Sequence, residues 1–150
     1  MRPVIFLRIA SVLTLIHAVL HTVGGVFGGV ASGAQQLAVT AMKTNEFAAM
    51  GVMRSYWDFY MGMGLAVSVF LAVEAIVFWQ LGSLAKTDAL RLRPMLGTFF
   101  CGYLGLAIVS FRYFFSGPVI TEILIALCLV LAIAGAKRTA PKELGRRIAV

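Results

Sequence analysis

Two histidines four residues apart, His17 and His21, lie inside the first long apolar run of the chain. Each later apolar run also carries an ionisable residue: Asp58, Arg112 and Glu122. Such residues are costly in a bilayer and by default mark a functional site. Spacing of i,i+4 puts two imidazoles on one helix face, where they could transfer protons, contact a ligand or donate to a metal. Asp58 or Glu122 would assist as acid or base, and Arg112 would stabilise negative charge. The candidate catalytic residues are therefore His17, His21, Asp58 and Glu122. The candidate ligand-binding set adds Arg112, Trp57 and Tyr60, the last two from the dense aromatic stretch Tyr56-Trp57-Asp58-Phe59-Tyr60. HxxxH without HExxH is a weak metal signal, and Asp58 or Glu122 would have to complete the site. No metal is assigned, and a haem or metal on His17 and His21 stays as the alternative.

Each of these residues also has a plainer reading. Histidines hydrogen-bond across helices as structural polar groups. Aromatic residues at span ends form interfacial belts. Arg112 and Glu122 flank Ser116-Gly117-Pro118 almost symmetrically, which suggests a salt bridge across a tight turn.

The elements that must position these groups are membrane spans. Of the 150 residues, 61% are hydrophobic and 13% charged, where a soluble domain carries about a quarter charged. A span needs about 20 apolar residues, so four spans and short links use up the chain. The class is all-α: an integral membrane four-helix bundle, read as a single transmembrane domain over 1–150. Spans are expected at about 4–30, 56–80, 95–115 and 119–136, with an external segment at 31–55, a basic loop at 81–94 and a frayed basic tail at 137–150. The first run is long for a signal core and contains two histidines, so it reads as a retained helix despite the cleavable-looking Ala31-Ser32-Gly33-Ala34. Segment 31–55 could form an amphipathic surface helix, and a lid over a site is its sharper reading.

The net charge of +7 comes from basic residues in short loops beside the spans, so it does not argue for nucleic acid. Arg2, Arg8, Lys86, Arg91, Arg93 and the five tail cations fall on one side, against Lys43, Arg54 and Arg112 on the other. Both termini should then be cytoplasmic. Cys101 and Cys128 lie in different runs without a CxxC, which fits buried structural thiols.

Helical phase places His17, His21, Gly24 and Gly28 on one face of the first span. Asp58, Gly62, Leu65, Val69 and Ala72 share a face of the second, Thr98, Cys101, Gly105 and Arg112 of the third, and Glu122, Ala126, Leu129 and Ile133 of the fourth. Small residues let helices approach in lipid, so these stripes are expected to face inward. Together they would form a polar-lined pocket in the external half, and the Gly faces could also support a homo-oligomer. Arg8 is expected to snorkel to the surface. Glu74, on the opposite face from Asp58, is expected to be protonated, to pair across an oligomer or to act in a proton path.

The block Arg54-Ser55-Tyr56-Trp57-Asp58-Phe59-Tyr60 with Gly62, Gly64 and Leu65, together with Phe78-Trp79-Gln80-Leu81 and His21-Thr22-x-Gly24-Gly25, resembles a family of small bacterial four-span membrane proteins. The resemblance covers most of the chain and departs at Met61 and Met63, where aromatic residues often stand in the family. It implies a bacterial inner-membrane protein in which Asp58 and His21 matter, and it implies no substrate.

The expected function is binding of a lipophilic small molecule, such as a quinone, isoprenoid or lipid fragment. The alternatives are an intramembrane isomerase or oxidoreductase using the same groups, and a structural or assembly subunit. A proton-coupled exporter using Glu74 is a further option, without that class's diagnostic pattern.

Overall fold

The computed structural model describes residues 2–29 and 32–136. Its elements are α1 (Arg2–Leu20), a π turn (His21–Val26), α2 (Ala34–Thr44), β1 (Glu46–Ala49), β2 (Val52–Ser55), α3 (Tyr56–Asp88), α4 (Arg93–Tyr113) and α5 (Ser116–Gly135). The expected basic tail lies outside the described residues. Among the described residues, four helices are long and apolar enough to cross a membrane: Arg2–Val26, Tyr56–Asp88, Arg93–Tyr113 and Ser116–Gly135. Helices are the natural outcome for such runs, because lipid offers no partner for a free backbone N–H or C=O.

The chain's contacts divide it into two compact units, with boundaries inside α1 and α3. One holds the chain up to Leu13 and from Ile76 on, and the other is Thr14–Ala75.

In the first unit, Leu7, Phe78, Leu96, Tyr103, Ile125 and Leu129 form the centre of a buried core. Phe78 meets Phe99 edge-on, with ring centroids 5.0 Å apart. The buried positions of α4, Leu96, Tyr103, Ala107 and Ser110, follow the helical repeat. Helix α3 does not stop near Gln80. Phe78, Leu81 and Ala85 continue its buried stripe, and no proline intervenes before Pro94, so the expected basic loop is helical as far as Asp88. Its 33 residues extend about 50 Å, more than the roughly 30 Å hydrocarbon core of a bilayer. Ser116-Gly117-Pro118 is likewise the first turn of α5, where proline's missing N–H has no intrahelical role. The link between α4 and α5 is Phe114-Phe115. At the other end of the hairpin, Arg93 donates to the Ile133 and Ala136 carbonyls at 3.2 and 2.8 Å and caps the end of α5.

In the second unit, the segment expected as an external loop is ordered. Helix α2 forms as anticipated, although none of its residues is buried. After it comes a hairpin absent from the sequence reading, paired Glu46 to Ser55 and Ala49 to Val52. Its two-residue turn, Met50-Gly51, has φ of 49° and 88°. Positive φ at both positions belongs to the type I′ turn that suits the twist of a hairpin. Phe47 packs on Tyr56 and Phe59, with centroids 4.9 and 5.5 Å away, and so ties β1 to the start of α3.

Candidate functional site

The histidines stand where α1 changes its winding. His21-Thr22-Val23-Gly24-Gly25-Val26 combines β-branched residues with two glycines, all poor helix formers. It closes with i→i+5 bonding, as in Phe27 N–H to Thr22 O at 2.9 Å. Single π turns of this kind are frequent at functional sites. The wider turn also shifts the helical phase, so Gly24 and Gly28 do not continue the His17–His21 face, and both are exposed.

Within the Thr14–Ala75 unit, this turn docks on α3. The Nε2 of His21 lies 3.1 Å from the Gly64 carbonyl oxygen. A carbonyl only accepts, so Nε2 carries a proton in this contact. Thr22 and Ser68 join hydroxyls at 2.8 Å, and Ser68 donates to the same Gly64 carbonyl at 3.1 Å. The approach needs Gly64: a Cβ there would lie 2.9 Å from Val26 Cγ2. One turn before His21, His17 is half-buried. Its Nδ1 is buried with no hydrogen-bond partner. Leaving such an atom unsatisfied costs about 1–3 kcal/mol, and the described residues supply no partner for this nitrogen.

Asp58 has a local task. Its Oδ2 accepts from the Ser55 N–H at 2.8 Å and from the Ser55 hydroxyl at 3.0 Å, while the Asp58 N–H donates to Ser55 Oγ at 3.2 Å. These contacts make the capping box of α3, with Asp in the place usually held by Glu or Gln. The stripe expected to carry Asp58 inward, with Gly62, Leu65 and Val69, is exposed. Trp57 and Tyr60 stack on each other at 5.3 Å, and the Lys43 ammonium lies 4.7 Å over the Trp57 ring.

Arg112 and Glu122 belong to the other unit. The salt bridge anticipated between them is not formed. Glu122 is buried and accepts from the Ser110 hydroxyl at 2.9 Å through Oε1. Its Oε2 is buried, with no partner among the described residues. Arg112 is exposed, with its guanidinium 5.4 Å from the Tyr113 ring centre. Helical phase is the reason: residues two apart on α4 point in nearly opposite directions, and the seam toward α5 carries Ser110. The Thr98–Cys101–Gly105–Arg112 stripe accordingly faces outward, with all four residues exposed. The Glu122 stripe faces inward as expected, with Ala126 and Leu129 buried. Cys128 is buried, whereas Cys101 is exposed.

Arg8 is more than a snorkelling residue. Its guanidinium lies 3.5 Å from the centre of the Trp79 ring and donates from Nη2 to Ser83 Oγ at 2.9 Å. A Cβ on Gly82 would sit 3.3 Å from Arg8 Nε. Trp79, Gly82 and Ser83 therefore make one cradle at i, i+3 and i+4, a spacing legible in the sequence and overlooked beside the aromatic-belt reading. Glu74 is half-buried and has a partner in the chain. Among the described residues, no group of three or more His, Cys, Asp or Glu is placed to hold a metal ion, so His17 and His21 gain no third ligand there.

Comparison of the chain with family models, curated proteins and solved structures found no match.

Proposed function

We propose that the chain is a multi-pass protein of the bacterial inner membrane that binds a lipophilic small molecule with a hydrogen-bonding head. A quinone, an isoprenoid or a lipid fragment has the right chemistry. The observation that carries this reading is the buried, unpartnered Nδ1 of His17, one turn from a histidine whose proton is held on Nε2 by Gly64. A ligand head would meet His17, while its apolar body would lie among membrane-exposed residues such as Val23 and Leu20. Trp57 and Tyr60 are the proposed aromatic contacts from the same unit. Asp58 contributes mainly by fixing the start of α3, and Arg112 and Glu122 are not needed for this reading. The Lys and Arg distribution supports both termini in the cytoplasm, which puts the histidines in the outer half of the membrane.

The test is native mass spectrometry of the protein released from nanodiscs made directly from membranes. About one small lipophilic molecule should be retained per chain, and His17→Leu should lose it. Equal retention by the variant, or none by either protein, would oppose the proposal. An intramembrane enzyme is the second reading. The His21 Nε2 proton held on the Gly64 carbonyl favours it, because that contact fixes the ring with Nδ1 directed away from α3 as the nitrogen available for proton transfer.

A further inference from the structure

A second feature lies at the hairpin of the Thr14–Ala75 unit, and it does not depend on the histidine reading. The hairpin turns on Met50, the one non-glycine residue with positive φ among the described residues. A side chain in that conformation costs about 1 kcal/mol, and glycine or asparagine would avoid most of it. Met50 is also the most exposed large apolar side chain among the described residues. Its strain therefore secures no packing inside the chain, and strain of this kind points to a task elsewhere.

The surface around it is apolar as well. Val52 and Met53 are exposed, and so is Ala48, which pairs with Met53 across the ladder. A lone two-stranded hairpin of this kind is marginal in water. On α2, Ala34, Leu37, Ala38 and Ala41 are exposed at i, i+3, i+4 and i+7 and form one apolar stripe. Gln36, Thr40 and Lys43 take the opposite side. Connectivity says what covers these surfaces. β2 ends at Ser55 and the span-length helix α3 begins at Tyr56, so no linker separates the hairpin from the membrane. Lys86 and Asp88 lie at the far end of α3, which leaves its first turns to enter the bilayer. Strands of four residues reach only about 13 Å. Phe47 packs on both Tyr56 and Phe59, so the hairpin is held against the side of α3 rather than beyond its end. Lys43 over the Trp57 ring brings the end of α2 to the same turn. Tyr, Trp and Lys are the residue types that anchor at a headgroup layer.

We infer that α2 and the hairpin form a bilayer-surface element, with Met50, Met53 and Leu37 seated among the headgroups and upper acyl chains of the leaflet that α3 enters. Interfacial helices bury their apolar face about 5–10 Å deep in this way. Methionine suits the tip, because its unbranched, polarisable side chain adapts to irregular surroundings. The exposed stripe of α2 and the strained turn then have one explanation, which is lipid contact.

The test uses the full chain in vesicles of phosphatidylethanolamine and phosphatidylglycerol, in a background of Cys101→Ala and Cys128→Ala that removes both free thiols. Spin labels are attached singly through Met50→Cys, Leu37→Cys and Gln36→Cys, all at exposed positions. Power saturation compares collision with oxygen, which concentrates in lipid, and with a water-soluble nickel chelate. At Met50 and Leu37 the oxygen effect should exceed the chelate effect severalfold, and at Gln36 the order should reverse. A chelate preference at Met50 or at Leu37 would overturn the inference, by leaving the tip or the helix in water. Shielding of both sites from both reagents would also overturn it, by assigning the surface to a protein contact such as a second copy of the chain. Leu37 decides the matter if the label at Met50 disturbs the turn.

Discussion

Gly64→Ala tests how the histidine-bearing turn is held. The new Cβ would stand 2.9 Å from Val26 Cγ2. Val26 is buried and β-branched, so its χ1 has little freedom to move aside. Overpacking of this kind costs about 1–3 kcal/mol. Alanine recovers about 1 kcal/mol over glycine inside a helix, which leaves a net loss of roughly 0–2 kcal/mol. The single variant is therefore a blunt probe, and the sharper quantity is the coupling to Val26→Ala. Removing the valine methyls removes the clash, so Gly64→Ala should be better tolerated in the Val26→Ala background by about 1–2 kcal/mol. Reversible denaturant unfolding of the four proteins in one detergent gives that difference. The same samples, labelled with 15N-histidine, report the His21 tautomer, because a retreat of the π turn would loosen its bond to the Gly64 carbonyl. A coupling within about 0.3 kcal/mol of zero, with the His21 signals unchanged, would refute close docking of the turn on α3.

Ser55→Ala removes the hydroxyl of the α3 capping box and should lower stability by about 1 kcal/mol, whereas Ser55→Thr should keep most of it; thermal unfolding by circular dichroism separates the two. Ser110→Ala removes the hydrogen-bond donor that Glu122 has among the described residues and should cost about 1–3 kcal/mol, while Arg112→Ala should stay within about 0.5 kcal/mol. An equal loss in both, measured by the same unfolding, would revive the salt bridge. Met50→Gly removes a side chain from a left-handed turn position and should raise the hairpin's resistance to proteolysis, with a gain of about 1 kcal/mol.

The spans were legible because uninterrupted apolar runs have few other solutions in lipid. Their ends were less so. The pattern of charge suggested a loop after Gln80, but Leu81 and Ala85 prolong a buried stripe, and packing outweighed the nearby cation Lys86. The hairpin is not legible in the sequence because Met50-Gly51 lacks the Asn-Gly signature that usually marks a type I′ turn. Phase arithmetic placed Glu122 correctly and failed for Asp58 and Arg112, since glycine on a stripe says where helices can approach, not where they do. The Ser55-x-x-Asp58 box is readable as local chemistry, because a capping carboxylate at the start of a span needs no partner from another helix. His17 and His21 were visible as a pair. The π turn that separates their roles depends on contact with Gly64, which one sequence does not display.

The most direct measurement is 15N NMR of the two histidines in protein kept with its native lipids and again after stripping. Stripping should move the signals of the His17 ring nitrogens, as Nδ1 loses its partner, while His21 stays in the Nε2–H form held by Gly64. Unchanged His17 signals would contradict ligand binding at His17.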